Sequence, residues 1–349
     1  MLDWSPLDTS MNAVTETLNT LHWTALPNLA IAGVASDWSA LTQPYLLVDL
    51  RGCGLAGTET QRATDWLRQL ACPVIGLVGA DEKHGLIKAF DTTVENETEA
   101  SLMTAAIQQS PIAAAVLVQL LRATESLPIN AALTVESLAY STLQSGPEFK
   151  RWLNANRAAS PAVATDKGPA VIMSREDTTL RLELNRASNH NGMTVDMRDA
   201  LVEALQLVLT DDSIQRVQLS GRGKCFSTGG DLTEFGSAPD PATAHIVRSV
   251  ALPGRLLAQC AERVEVQVHG ACVGSGIEFP AFAGRITAKQ DAYFQLPELK
   301  FGLIPGAGGT VSIARRIGRQ RTAWLVLSGK RIKVEQALDW GLVDEITSK

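Results

Sequence analysis

The sequence predicts an α/β protein built from layers of strands and helices, and three observations carry that prediction. In the second half, short strand-like runs take turns with longer runs whose apolar residues fall at helical spacing. Glycine turns end several of the strand-like runs, as in "VQLSGRG" and "VEVQVHG". A fainter copy of the same rhythm occupies the first half.

The elements follow in order. "TLRLELN" (Thr179 to Asn185) alternates like a half-buried strand. "TVDMRDALVEALQLVLTD" (Thr194 to Asp211) predicts a helix with Thr194 as its N-cap. "VQLSGRG" is a strand entering a glycine turn, "RLLAQCAERV" a helix and "VEVQVHG" a strand. Upstream, "YLLVDLRGCGLAG" (Tyr45 to Gly57) parallels the stretch Arg216 to Gly230, and "TDWLRQLACPVIGLVG" (Thr64 to Gly79) parallels Arg255 to Gly270. The copy then lapses, because no glycine cluster with an embedded glutamate follows it. Residues 28–95 therefore read as a degenerate half-repeat. "GCGLAG" (Gly52 to Gly57) fits G-x-G-x-x-G, but the acid expected after a second strand is missing, since Asp65 lies within a helical pattern. A decayed repeat turn is the better reading. From residue 99 to 157 the pattern is helical, with breaks at Pro111, Pro128 and Pro147. The small, polar stretch "LNANRAASPAVATDKGPA" (Leu153 to Ala170) reads as a linker and sets two domains, 1–160 and 161–349.

Composition narrows the function. Hydrophobic residues make up 45% and charged residues 19%, which suits a packed core. A net charge of -6 gives no global support to nucleic-acid binding. The local basic run "ARRIGRQR" (Ala314 to Arg321) reads as a solvated helix face. Five scattered cysteines have neither zinc-ligand nor redox spacing and point to reduced thiols in the cytoplasm. His190, His245 and His269 have no metal-binding spacing. The N-terminus does not read as a signal peptide, and no apolar run approaches the roughly 20 residues that span a bilayer.

The chemistry concentrates in three glycine-containing stretches. "KCFSTGGDLTEF" (Lys224 to Phe235) runs through a small-residue turn towards a helix start near Asp231. "CVGSGIEFPAF" (Cys272 to Phe282) sets Glu278 in an otherwise apolar segment. "QLPELKFGLIPGAGGT" (Gln295 to Thr310) adds Glu298 and a turn expected to lie beside it. Glycine turns before helices leave N–H groups pointing outward, and two of them converging on one carbonyl oxygen stabilise an enolate. Two nearby carboxylates can divide general acid and base roles. Asp231 and Glu234 also suit the first turn of a helix. Cys225 and Cys272 read as small buried fillers.

These stretches carry a resemblance. Residues 168–346 resemble the core of the crotonase, or enoyl-CoA hydratase/isomerase, superfamily. "ELNRASNHNGMT" resembles its opening segment, and "FSTGGDLTE" its first oxyanion-hole motif. "HGACVGSGIEF" resembles its second, with Ser275 replacing a glycine. "FQLPELKFGLIPGAGGT" is the closest match, and "GKRIKVEQALDWGLVDEI" (Gly329 to Ile346) resembles the final core segment. The resemblance implies a crotonase-like fold of repeated ββα units and a trimer-based assembly, a homo-trimer or hexamer. It implies an oxyanion hole of the Gly230 and Ser275 N–H groups, with Glu278 and Glu298 as the catalytic acids. It sets Gly229, Asp231, Leu232 and Gly274 beside the substrate, and Arg186 or Lys224 near the CoA phosphates. The substrate would be an acyl-CoA thioester, with no metal or redox cofactor and no nucleic-acid or membrane partner. Retention of both glutamates favours hydration or dehydration; isomerisation, hydrolysis, decarboxylation and a non-catalytic acyl-CoA or protein-binding role are the alternatives.

In the family the core continues past "GLVDEI" into a helical region that covers the site. Here "ESLAYSTLQSGPEFKRWLNANR" (Glu136 to Arg157) resembles that region. The expectation is a rearranged chain in which the helical segment 101–157 replaces it, within the chain or across a subunit interface.

Overall fold

A computed structural model describes residues 18–33, 35–79, 83–156 and 166–347. The chain divides into two compact units, Met1–Pro111 and Ile112–Lys349. The sequence-based boundary near residue 160 lies outside the described residues. The division falls earlier because the helices after Pro111 pack on elements of the second half.

The first unit is a four-stranded parallel sheet in the order β1-β2-β3-β4: Thr20–His22, Leu46–Asp49, Val74–Leu77 and Thr92–Val94. Its helices are α1 (Leu26–Ala32), α2 (Gly57–Gln69) and α3 (Glu97–Gln109). Leu46, Leu47 and Val48 are buried together with Val74, Ile75 and Leu77, because the two inner strands of a covered parallel sheet hide both faces. α2 turns Ala63, Trp66 and Leu67 inward, and Trp66 meets Trp38 edge-on at 5.5 Å. "GCGLAG" is the turn between β2 and α2, with Arg51 paired to Asp49 at its start.

The second unit opens with α4 (Pro111–Thr124), α5 (Ile129–Gln144) and α6 (Pro147–Asn156). The three prolines stand at helix starts, where a missing N–H costs nothing. β5 (Val171–Glu176) and β6 (Thr179–Leu184) form an antiparallel hairpin. Then follow α7 (Val195–Thr210), β7 (Arg216–Gly221), α8 (Pro241–Val250), α9 (Pro253–Gln259), β8 (Val264–Val268), β9 (Ala271–Val273), the one-turn α10 (Ser275–Glu278), β10 (Arg285–Lys289) and β11 (Tyr293–Gln295). α11 (Gly309–Ile317), α12 (Arg319–Ser328), β12 (Ile332–Lys333), α13 (Val334–Trp340) and β13 (Glu345–Thr347) complete it. A six-stranded sheet runs β13-β10-β8-β7-β6-β5 and a three-stranded one β12-β11-β9. Thr194 caps α7 as predicted, accepting from the Met197 N–H. All five cysteines are free thiols.

The basic run is a solvated face only in part: Arg315 and Arg321 are exposed, but several of its guanidiniums are engaged. Arg316 donates to the carbonyls of Ala281 and Ala283 and pairs with Asp344, Arg315 donates to the Leu127 carbonyl, and Arg319 is buried. Unpaired carbonyls at loop ends recruited these guanidiniums, a role periodicity does not register.

The helical segment is fastened by its own acids. Glu148, at the start of α6, is buried and accepts from the N–H groups of Ile112 (2.8 Å) and Ala113 (2.9 Å), capping α4 from outside the helix. Glu148→Ala should lower the stability of this unit by about 1–2 kcal/mol, measured as a shift of its urea-unfolding midpoint. An unchanged midpoint would mean that water replaces the cap.

Candidate functional site

Two chain turns meet at the centre of the second unit. After β7 the chain runs extended beside β9: Ser227 N–H donates to the Ala271 carbonyl and Val273 N–H to the Ser227 carbonyl, both at 3.1 Å. One step later it bridges Met193 instead. Met193 N–H donates to the Gly229 carbonyl at 2.7 Å, and Asp231 N–H to the Met193 carbonyl at 3.2 Å. In such a bridge the flanking residues make the bonds, so the N–H of Gly230 itself points the other way. It has no partner among the described residues.

The second turn follows β9. Gly274 takes φ +51, which favours glycine, and its carbonyl accepts from the N–H groups of Ile277 and Glu278. Ser275 is the first residue of α10, so its N–H lacks an intrahelical acceptor, and it has none elsewhere among the described residues. A methyl group on Gly229 would lie 2.6 Å from the Val273 carbonyl oxygen and 3.5 Å from the Gly274 Cα. The backbones thus touch, and both turns carry an unpaired N–H group.

The two predicted acids converge over Gly274. A methyl group there would lie 2.8 Å from Glu298 Oε1 and 4.0 Å from Glu278 Oε1. Glu278 is 3% exposed and Glu298 8%. Glu278 Oε2 accepts from the N–H groups of Ala307 (2.7 Å) and Gly309 (3.0 Å), at the start of α11. Burial pushes its pKa up to about 7, against the pull of those two donors. Glu298 stands in a short turn, Glu298–Phe301, and its Oε2 is buried without a partner. Burial first, then the charge of Glu278, holds its carboxyl well above the usual range. The "PGAGGT" turn leads into α11 and has close side-chain neighbours: methyl groups at Gly306 and Gly309 would meet the Tyr140 ring at 2.4 Å and Glu278 Cγ at 2.6 Å.

The sequence reading named neither Glu136 nor Tyr140 as a site residue. They lie one turn apart on α5. Glu136 is 1% exposed; it accepts from the N–H groups of Gly308 (2.8 Å) and Thr310 (3.0 Å) and from Thr310 Oγ1 (2.6 Å). Burial, then the Glu278 charge, pushes its pKa up to about 8. Tyr140 packs on Gly306, with the Arg248 guanidinium 4.7 Å from its ring centre. Burial raises its phenol further, and Glu278, Glu298 and Glu136 all bear on it. The i, i+4 spacing of Glu136 and Tyr140 in a segment already likened to the family's covering helices was the available signal. α6 adds Trp152, whose rings lie 4.9 Å from Phe301 and 5.9 Å from Phe235.

Other predicted residues have partners or exposure of their own. Asp231 caps the next short turn through the Thr233 N–H, and Leu232 is 49% exposed. Arg186 is occupied: it donates to the carbonyls of Gly168, Pro169 and Asn185 and pairs with Asp196. Lys224 is exposed. His245 shares a hydrogen bond with Ser137, and His269 lies 3.1 Å from the Gly223 carbonyl.

Three acids held protonated above their ordinary range couple folding to pH. The native unit keeps protons that the unfolded chain releases near 4.5, the ordinary glutamate value. This contribution is full below that pH and is lost as pH rises through about 7 and about 8. Unfolding free energy should therefore fall between pH 5 and 8.5, and less steeply in Glu278→Gln, as measured by urea titrations at both pH values. Parallel slopes in the two proteins would sink this reading.

Comparison with known proteins supplies the family. The family model for enoyl-CoA hydratase/isomerase matches residues 174–349. The chain is 34% identical over 176 residues to 2,3-dehydroadipyl-CoA hydratase of Escherichia coli K12, covering 50% of this chain and 68% of that one. It is 32% identical over 176 residues to 1,2-epoxyphenylacetyl-CoA isomerase of the same strain, covering 49% and 67%. The crystal structure of an enoyl-CoA hydratase from Thermoplasma volcanium GSS1 aligns with a TM-score of 0.47 at 29% identity, covering 52% of this chain and 72% of that one. A matched region holding both glycine turns and both convergent glutamates leads to one conclusion: the chain belongs to the enoyl-CoA hydratase/isomerase, or crotonase, family.

Proposed function

We propose that this chain adds water to, or removes it from, the double bond of an enoyl-CoA thioester. The observation that carries the reading is the pair of buried carboxylates over Gly274, in unlike surroundings. Glu278 has two N–H donors that favour its anion, which suits a general base. Glu298 has none on its buried Oε2 and is held far above the usual range, which suits a general acid that is protonated at rest. In the hydration direction a water oxygen bonds to the β-carbon, and its proton passes to Glu278. The π electrons move to the α-carbon and thioester carbonyl, whose oxygen accepts from the N–H groups of Gly230 and Ser275. Glu298 then delivers its proton to the α-carbon. Backbone donors tolerate serine in place of glycine, so Ser275 preserves the hole.

The same reading takes α5 and α6 as the helical layer over the site. Its support is the Glu136 contact with the 308–310 turn, the Tyr140 contact with Gly306 and the Trp152 ring cluster. All of these lie within one unit of one chain.

The test is a spectrophotometric screen of enoyl-CoA thioesters of several chain lengths. Wild type should remove the conjugated-thioester absorbance, and Glu278→Gln and Glu298→Gln should each lose about 10²–10⁴-fold in kcat. Loss in only one variant would favour isomerisation through a single carboxylate. No absorbance change with any substrate would sink the hydratase reading.

A further inference from the structure

The hydration mechanism gives steps to Glu278 and Glu298 and none to Glu136, although Glu136 is buried and accepts three hydrogen bonds. All three come from the start of α11. Gly308 N–H donates to Glu136 Oε1, and Thr310 donates to Glu136 Oε2 through both its N–H and its Oγ1. The N–H groups between them go the other way: Ala307 and Gly309 donate to Glu278 Oε2. In a regular helix the first N–H groups all point out of the same end. They alternate here because Gly308 takes φ +104 and ψ 1, a conformation that favours glycine.

α5 follows this turn from end to end. A methyl group on Gly308 would lie 3.4 Å from Leu133 Cδ2, and one on Gly306 2.4 Å from the Tyr140 ring. Glu136 stands between those two residues on α5 and supplies the polar contact. Ser312 Oγ donates to the Glu278 carbonyl at 2.6 Å, fastening α10 to α11. The consequence falls on the Glu278 carboxylate. Its Oε2 is held by two N–H donors, whereas its Oε1 has no hydrogen-bond partner among the described residues. Oε1 is the oxygen that approaches Gly274, where Glu298 Oε1 also arrives. The direction of two peptide N–H groups thus decides which oxygen of Glu278 is tied and which is open.

We propose that Glu136 is a positioning residue: by holding Gly308 and Thr310 from the α5 side, it keeps the Ala307 and Gly309 N–H groups turned onto Glu278 Oε2 and leaves Glu278 Oε1 open to the substrate. Gly308 and Thr310 are themselves buried, so without this acceptor their N–H groups would go unpaired and the turn would rotate to find others. The value to catalysis rests on the hydratase reading, since it is there that Glu278 serves as base. The orientation of the turn does not.

The test begins with amide hydrogen exchange on the full chain, with no substrate needed. Glu136→Gln replaces one of the two acceptor oxygens by an NH2 group, which meets an N–H donor head-on. It should speed exchange of the Ala307 and Gly309 amides by about tenfold or more, although their own acceptor is intact, and leave the β7 and β8 amides unchanged. Thr310→Val removes only the hydroxyl donor and should give the same pattern more weakly, with Thr310→Ser restoring wild-type rates; this pair does not require Glu136→Gln to fold. In kinetics with any enoyl-CoA that is turned over, Glu136→Gln should lower kcat by about 10²-fold and leave KM within about twofold of wild type. In a Glu278→Gln background it should cost nothing further in kcat, because it acts through Glu278. Unaltered exchange at Ala307 and Gly309 in both Glu136→Gln and Thr310→Val overturns the proposal. So does exchange raised equally throughout the unit, or kcat losses that multiply in the double variant, since these mark a general structural role. Failure to turn over any enoyl-CoA defeats the hydratase reading alone, and the exchange result still decides whether Glu136 holds the turn.

Discussion

The start of α11 is where most of this site is settled. A helix N-terminus has orphan N–H groups that must find acceptors, and here the acceptors are carboxylates from α5 and α10. The arrangement satisfies the helix and brings two acids into an apolar interior. Ionised carboxylates in such a place are costly, so the acids hold their protons to higher pH than glutamate ordinarily does. Glu298, without a partner on one oxygen, is likewise held well above the usual range. Acid–base capacity near neutral pH is thus a consequence of how one helix end is capped.

The glycines follow from the same constraint. Gly309 is bare so that Glu278 can reach the helix end, and Gly306 so that the Tyr140 ring can lie against the turn. Gly274 supports the two convergent carboxylates, and its positive φ turns the chain into α10 with the Ser275 N–H unpaired. At Gly229 the approach is backbone to backbone, against Val273. These are separate close contacts made by separate glycines: a side chain at 274 would meet Glu298 Oε1, and one at 309 would meet Glu278.

α5 and α6 tie the segment before the matched region to the site. Glu136 and Tyr140 come from one face of α5, and Trp152 from α6 joins Phe301, three residues after Glu298, to Phe235, which packs on Gly230. The link is polar at the carboxylates and aromatic beside the Gly230 turn. Ser141 Oγ and Arg248 bind α5 to α8, so the stretch that follows the first glycine turn is held by the same helix.

The sequence alone determined what local pattern can determine. Alternation and helical spacing predicted β6, α7, β7, α9 and β8, and the ordered glycine motifs identified the family and singled out Glu278 and Glu298. Those signals are legible because period, cap and turn chemistry act within a few residues. The same reading expected the CoA phosphates near Arg186 or Lys224; what no local pattern shows is that the Arg186 guanidinium donates to the carbonyls of Gly168, Pro169 and Asn185. It expected the "PGAGGT" turn to shape a helix start beside Glu298; the helix start is there, and the turn also seats Glu278, Glu136 and Tyr140. Only the tertiary structure decided that Glu136, 172 residues before the Gly308 N–H it accepts from, belongs to the site. The physical reason is that a buried acid is specified by the donors that surround it, and here those donors come from a helix end far along the chain.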